Sequence, residues 1–303
     1  MNKIFRSQNI SIVTPPPATD YFLAGTSPDG KILQSIDDGS TWTDTSVSFN
    51  GNPKCFTIDE SGNIYCGTST GYVYKYSGSS WDSGTSIFGG NITALSSLNV
   101  SGLNFILIGD ENGVIKFSID LGGSWDIWNT VTGAIINGFI TDGTTVYAIT
   151  STGIYYIDIV PPTQLQSGNF VALIHDVDNG FVYAATSGVS YIWKNTITND
   201  FTAWTNLGYI IGGSSVDTML KNGNRIIIGS GYYTFYTDDY FLNMDMLDAT
   251  DERNISSANK GDIIIFGNDY NGHIWRSINN GLAFNDLGQQ FSQTDINCLI
   301  YVP

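Results

Sequence analysis

Short runs of β-branched and aromatic residues alternate with polar, glycine-containing turns along almost the whole chain. Seven times an apolar run crosses such a turn into a second β-rich run, as in NIYCGTSTGYVYKY at 63–76 and NFILIGDENGVIKFS at 104–118. The turns supply Asn, Asp and Gly where positive φ is needed, so each phrase predicts a β-hairpin. We name the two strands of this hairpin B and C.

The hairpins recur with a regular period. Equivalent positions in successive B strands are 42, 42, 40, 36, 44 and 38 residues apart. These positions are Gly25, Gly67, Gly109, Ile149, Ala185, Gly229 and Gly267. A period of about 40–45 residues is typical of the four-stranded blades of a β-propeller. The seven hairpins therefore predict seven blades.

A further apolar run precedes every B strand except the first, and it predicts an innermost strand A for each blade. The missing seventh run is DINCLIYVP at 295–303. We therefore predict that the C-terminal strand lies beside Tyr21–Thr26 and closes the ring inside the first blade, which removes the free edge strands. The predicted fold class is all-β, with a single seven-bladed β-propeller of four-stranded antiparallel blades spanning residues 21–303.

Residues 1–20 fall outside this repeat. Pro15, Pro16 and Pro17 enforce an extended path there, so the segment is predicted to be an N-terminal arm. It lacks the apolar run of a secretory signal, and we expect no export by that route. No stretch of the chain reaches the roughly 18 apolar residues that a membrane-spanning helix requires.

Composition supports the all-β prediction and limits the partners. The 303 residues include 28 acidic residues, of which only three are Glu, against 12 Lys plus Arg, for a net charge of −16. Long helices are disfavoured because Glu and Lys, two good helix formers, are scarce. Nucleic acid and anionic membranes are disfavoured as partners because their binding depends on basic residues. Three cysteines in a chain of this size predict buried thiols rather than a disulfide framework.

Two octapeptides follow C strands in the same phase of the repeat, SIDDGSTW at 35–42 and SIDLGGSW at 118–125, and SINNGLAF at 277–284 is a degenerate copy. They match the pattern Ser-x-Asp-x-Gly-x-Thr/Ser-Trp, and the chain therefore resembles the sialidase-like β-propellers that carry the Asp box, or BNR repeat. In that family the box is mostly a peripheral fold element. The resemblance implies a structural role for Ser35, Asp37, Gly39, Trp42, Ser118, Asp120, Gly122 and Trp125.

The same resemblance raises enzymatic alternatives. Sialidases hold a carboxylate with three arginines, whereas this chain has only Arg6, Arg225, Arg253 and Arg276 and lacks the Arg-Ile-Pro sequence of those enzymes. Xyloglucan hydrolases with Asp boxes place their carboxylates between two propellers, and only one is predicted here. Most Asp and Glu residues fall in turn signals, which favours turn formation over a pair of catalytic carboxylates. We therefore expect no enzymatic activity.

Metal and cofactor binding also have little support. His175 and His273 are predicted in different blades, so paired ligation by histidine is disfavoured. DVDNG at 176–180 begins like a calcium loop but lacks the later acidic ligand, and a turn explains it without a metal. We predict neither a metal ion nor a cofactor.

Two hypotheses for function remain. The first is a non-enzymatic structural or adhesion protein of a large assembly, because the Ser/Thr/Asn/Gly/Tyr-rich composition resembles bacteriophage tail, fibre and neck proteins. Its location would be the virion, assembled in the host cytoplasm, and its partners other virion proteins. The arm would dock through its apolar side chains, Ile4, Phe5, Ile10, Ile12 and Val13. The alternative for the arm is that it packs against its own propeller.

The alternative is carbohydrate binding or weak glycoside hydrolysis on one propeller face. Seven Trp and 17 Tyr, including Tyr155–Tyr156 and Tyr232–Tyr233, motivate it. Photosystem II assembly-factor propellers share the Asp box, but they rely on an Arg-rich patch that this acidic chain does not offer.

Overall fold

The computed structural model describes residues 20–197, 201–209, 215–249, 253–269, 271–290 and 295–303. Within these ranges the chain forms 28 strands and one 3-10 turn at Val177–Asn179. The strands make seven antiparallel sheets of four strands each. The predicted seven-bladed all-β propeller is confirmed.

We number the blades in the order of their B strands. The first four blades contain β1 (Tyr21–Ser27), β2 (Lys31–Ser35) and β3 (Thr43–Ser48); β4 (Pro53–Ile58), β5 (Ile64–Thr68), β6 (Tyr72–Tyr76) and β7 (Thr85–Ser86); β8 (Ile92–Val100), β9 (Leu103–Asp110), β10 (Val114–Ser118) and β11 (Asp126–Thr130); and β12 (Ile136–Thr141), β13 (Val146–Thr150), β14 (Gly153–Tyr156) and β15 (Thr163–Ser167). The last three contain β16 (Phe170–Asp176), β17 (Phe181–Thr186), β18 (Tyr191–Thr196) and β19 (Thr205–Tyr209); β20 (Val216–Asn222), β21 (Arg225–Ser230), β22 (Tyr233–Thr237) and β23 (Asp245–Ala249); and β24 (Asn254–Lys260), β25 (Ile263–Asn268), β26 (His273–Ser277) and β27 (Asn285–Gln289).

The fourth strand of blade 1 is the last strand of the chain, β28 (Asp295–Val302). The order in this sheet is β28-β1-β2-β3. Strand β28 runs antiparallel to β1, from Tyr21 opposite Val302 to Ser27 opposite Asp295. The predicted closure of the ring by the C-terminal strand is therefore confirmed.

The A strands of successive blades contact one another around the ring. The B strands of six blades contact the next A strand, and the repeated glycines lie at these contacts. A Cβ on Gly109 would overlap Ile136 of blade 4, and one on Gly67 would overlap Ile92 of blade 3. The repeat position is therefore small where the next blade presents a bulky side chain.

The hydrophobic core lies between adjacent sheets rather than in one central layer. Trp42 of blade 1, for example, packs with Phe22 and with Ile265 of blade 7. The outermost D strands are mostly polar and partly exposed, as in TDTSVS of β3. Blade 2 departs from this pattern because its D strand, β7, has two residues, whereas the D strands of the other blades have five or six.

Candidate functional site

The SIDDGSTW turn connects strands C and D of blade 1, and hydrogen bonds among its own residues stabilise its conformation. The Ser35 hydroxyl donates to Asp37 Oδ1 at 2.9 Å and accepts from the Gly39 amide at 2.9 Å. Asp37 accepts from the amide and hydroxyl of Thr41 at 2.8 and 2.7 Å, and Trp42 Nε1 donates to the Gly39 carbonyl at 3.1 Å. Both Asp37 carboxylate oxygens are thus used inside the turn.

The SIDLGGSW turn of blade 3 repeats this geometry. The Ser118 hydroxyl donates to Asp120 at 2.7 Å and accepts from the Gly122 amide at 2.8 Å. Asp120 accepts from the amide and hydroxyl of Ser124 at 2.9 and 2.7 Å. The hydrogen bonds from Ser124 and Ser118 lower the pKa of Asp120 to about 2.

Both turns also contact the preceding blade. A Cβ on Gly39 would overlap Ile265 of blade 7, and Gly122 faces the ring of Tyr65 in blade 2. The Tyr65 hydroxyl donates to the Leu121 carbonyl at 3.0 Å. Trp125, at the end of the octapeptide, packs against the same cluster as Tyr65. The eight residues assigned to the octapeptides therefore lie in turns and at blade contacts.

Blade 6 contains a further copy of this turn that the sequence pattern missed. The Thr237 hydroxyl donates to Asp239 at 2.8 Å and accepts from the Phe241 amide at 3.0 Å, and Asp239 accepts from the Asn243 amide at 2.9 Å. Tyr240 and Phe241 have φ values of 57° and 74°, in the left-handed region that Asp38 and Gly39 occupy in blade 1. Phe241 stands where blade 1 has Gly39. The sequence features that could have indicated this turn are therefore only the Thr-x-Asp spacing and its position in the repeat.

We expect Asp120→Asn to reduce the pH dependence of stability. The folded-state pKa of Asp120 lies below its ordinary value of 3.8, so the ionised carboxylate stabilises the fold above about pH 4, and this contribution is lost as the pH falls through about 2. Asn279 shows that the amide fits, because its Oδ1 accepts from Ser277 Oγ and the Ala283 amide at 2.8 and 3.0 Å.

The measurement is urea unfolding of both proteins at several pH values between about 7 and about 2, a range that covers the interval from the ordinary pKa of 3.8 down to the folded-state pKa of about 2. At neutral pH the free energy of unfolding of the variant should be slightly lower than that of the wild type. This difference in free energy should become smaller as the solution is acidified. A difference that stays constant over this range would contradict the assignment.

The described arginines do not converge on one site. Arg225 pairs with Asp238 through two hydrogen bonds of 2.7 and 2.6 Å. Arg253 pairs with the buried Asp217 carboxylate, and Arg276 Nε donates to a backbone carbonyl of the blade 1 turn at 2.7 Å. Each guanidinium therefore already has a partner of its own.

The DVDNG segment forms a capped turn. Asp176 is fully buried and accepts from Asn179 Nδ2 at 3.0 Å, and it forms an ion pair of 2.9 Å with Lys221 of blade 6. Gly180 supplies the left-handed residue that ends the turn, with φ of 72°. In the part of the chain that the structure describes, no group of three or more His, Cys, Asp or Glu is arranged to hold a metal ion.

The three cysteines are free thiols on A and B strands. Cys66 and Cys298 are buried, and Cys55 is partly buried. Burial raises the pKa of Cys55 to about 12 and the pKa values of Cys66 and Cys298 well above the ordinary value. Thiols held protonated in this way are poor nucleophiles.

Apolar side chains are exposed on the outside of the ring. The second residue of each octapeptide is an isoleucine, and Ile36, Ile119 and Ile278 are 69, 62 and 58% exposed. On blade 3 a cavity of about 440 Å³, the blade-3 groove, is lined by Leu103, Phe105, Phe117, Ile119, Ile127 and Trp128. A contiguous exposed apolar patch such as this groove is typical of surfaces that contact other proteins.

The apolar residues predicted to dock the arm, Ile4, Phe5, Ile10, Ile12 and Val13, lie outside the described residues, as does Arg6. Their docking role stays a prediction. No helix in the described residues is long and apolar enough to cross a membrane.

Comparison with known proteins identifies a fold and nothing narrower. No family model and no curated protein matches the sequence. A chain from a nidogen/laminin complex superposes with a TM-score of 0.58 and 9% identity, over 94% of this chain and 98% of that chain. The computationally designed Ika8 protein gives 0.57 and 15%, over 92% and 90%.

The β-propeller domain of Cps50 (Swd1) from Myceliophteria thermophila gives a TM-score of 0.57 with 11% identity, over 75% of this chain and 83% of that domain. Structures this similar at such low identity share a fold but not necessarily an activity. The chain is therefore similar to other β-propellers in fold.

Proposed function

We propose that this chain is a non-enzymatic structural or adhesion propeller that holds other protein subunits in a large assembly. The observation that carries the proposal is the blade-3 groove, a contiguous apolar surface that includes the exposed Ile119 of the octapeptide turn. Burying such side chains against a partner removes apolar surface from water, which favours association. A propeller is compatible with this role.

The engagement of the polar side chains within the ring supports the non-enzymatic part of the proposal. In the described residues, the carboxylates of Asp37, Asp120 and Asp239 accept hydrogen bonds within their own turns. Arg225 is paired with Asp238, and Arg253 is paired with Asp217 and Asp269. Groups engaged in this way contribute to the scaffold and leave little for acid–base chemistry.

We assign the assembly to a bacteriophage particle and the docking element to residues 1–20. The composition supports the first assignment, because it is rich in Ser, Thr, Asn, Gly and Tyr and poor in Lys and Glu. The apolar residues of the arm support the second. An extended apolar segment can dock by adding a strand to the sheet of a neighbouring subunit.

Deleting residues 2–19 is expected to abolish incorporation into the assembly while leaving the ring folded, because all seven described sheets are built from residues that follow Asp20. Incorporation is measured by sedimentation of particles from cells that express the tagged chain at its own locus. Circular dichroism and thermal unfolding check that the ring is intact.

The matched variant keeps the arm and its prolines but replaces Ile4, Phe5, Ile10, Ile12 and Val13 by Ser. It should behave like the deletion if apolar contacts drive docking. Unchanged incorporation of the deleted chain would overturn the proposal for the arm, and the absence of any high-mass assembly would overturn the proposed function.

A further inference from the structure

Blade 2 differs from the other blades because its outermost strand, β7, has only two residues. The segment before β7 folds back on the C strand, where Tyr76 and Trp81 form an isolated bridge. Asp82 holds this fold, because its amide donates to the Lys75 carbonyl at 2.9 Å and its Oδ1 accepts from the Lys75 and Gly84 amides at 3.0 Å. Local departures from a repeat are expected at functional positions.

A cavity of about 440 Å³ lies between this folded segment and blade 1, and we call it the interblade cleft. Its volume is within the range of about 300–1,000 Å³ that is typical of small-molecule sites. Tyr21 and Gln34 line it from blade 1, and Tyr76, Trp81 and Asp82 line it from blade 2. The cleft is thus formed by the blade that departs from the repeat.

One side of the cleft is a preorganised aromatic wall. Phe49 and Tyr74 are stacked with ring centroids 4.0 Å apart. Trp81 meets Phe49 edge-on at 5.0 Å and lies 5.5 Å from Tyr76. Because these rings hold one another in place, little side-chain entropy is lost when a ligand packs on them.

Polar groups around this wall are available to a ligand. Among the described residues, the Tyr21 and Tyr76 hydroxyls, the Gln34 amide and Asp82 Oδ2 make no hydrogen bond to the protein, although Asp82 Oδ1 is fully used. Burial and the nearby Tyr76 phenol raise the pKa of Tyr21, so its hydroxyl stays protonated and can donate. The cleft thus combines aromatic faces with hydrogen-bond donors and a carboxylate acceptor.

We propose that the interblade cleft binds a neutral oligosaccharide. A sugar ring has an apolar C–H face that fits an aromatic wall and a rim of hydroxyls that pair with amide, phenol and carboxylate groups. Asp82 is the one charged side chain among the described lining residues, and the chain carries a net charge of −16. Sialylated, sulfated and uronic sugars are therefore disfavoured by like-charge repulsion. This binding site goes beyond the proposed role in assembly.

The test uses the full chain on an array that holds neutral hexose and N-acetylhexosamine oligosaccharides together with sialylated and sulfated ones. The best neutral oligosaccharide is then titrated calorimetrically. Trp81→Ala should weaken binding at least about tenfold, because it removes an aromatic face together with the apolar area that this face buries. Tyr76→Phe keeps the ring and should weaken binding about fivefold through the loss of one hydrogen bond.

Leu242→Ala is the control, because Leu242 is 83% exposed and lies in blade 6 outside the cleft. It should bind like the wild type. The proposal is overturned if no neutral oligosaccharide is retained, if anionic glycans are preferred, or if both cleft variants bind normally. Incorporation of the Trp81→Ala chain into particles is scored separately, so failure here leaves the proposal for the arm intact.

Discussion

Removal of residues 295–303 is expected to leave the chain unable to form a soluble, folded monomer. Strand β28 supplies the A strand of blade 1, and its buried Ile296 fills the space above Gly267 of blade 7. Without it, β1 becomes an exposed edge that carries the buried side chains of Phe22 and Leu23. Free apolar edges pair with other chains, and a domain of ordinary size has only about 5–15 kcal/mol of total stability with which to withstand the loss of a whole strand.

Expression yield in the soluble fraction, size-exclusion chromatography and circular dichroism measure this effect. The control removes only Pro303, which is exposed and lies beyond β28, and it should remain a folded monomer. A truncated chain that elutes as a monomer with the wild-type spectrum would show that the ring does not depend on this strand.

Gly109→Val is expected to lower the free energy of unfolding by about 3 kcal/mol, which is the upper part of the usual range for overpacking a core. The new side chain would overlap Ile136 at the junction of blades 3 and 4. The neighbouring Gly138→Ala is the matched control, because Gly138 lies on β12, does not require positive φ, and would bear a methyl group with no neighbouring atom within 4 Å. It should change the stability by less than about 1 kcal/mol.

Urea unfolding of the two variants and of the double variant Gly109→Val with Ile136→Ala tests the mechanism. If the overlap causes the loss, the double variant should be more stable than the sum of the single effects predicts. If the effects of the two substitutions on the free energy of unfolding are strictly additive, the overlap with Ile136 is not the cause of the lost stability.

The sequence predicted the inner part of each blade well because buried strands carry their own pattern. The B strands are continuous apolar runs with a small residue at the junction, as at Gly67 and Gly109, and the count of A strands pointed to residues 295–303 as the missing one. The D strands carried no such signal. TDTSVS of β3 and TQLQS of β15 lie at the exposed edge, where polar residues are tolerated and alternation is weak.

Local turns were predictable only where glycine marked them. The turn at Thr237–Asn243 has the same hydrogen bonds as SIDDGSTW, but Phe241 adopts positive φ in place of glycine, so this turn does not match the octapeptide pattern. The interblade cleft left no sequence signal, because Gln34 and Trp81 belong to different blades and meet only when two sheets pack. The roles assigned to the arm remain predictions.

The pairing of Tyr21 with Val302 makes blade 1 the last sheet that can be completed during synthesis. A ribosome releases β1 long before β28, so one edge of β1 stays without a partner strand while the six other sheets form. Such intermediates are prone to association with other chains. In a permuted protein, Asp20 would be joined to the C-terminal end by a short linker, and new ends would be opened at the exposed Gly78. Strands β1 and β28 would then be neighbours in the sequence, and we expect this protein to fold faster than the wild type.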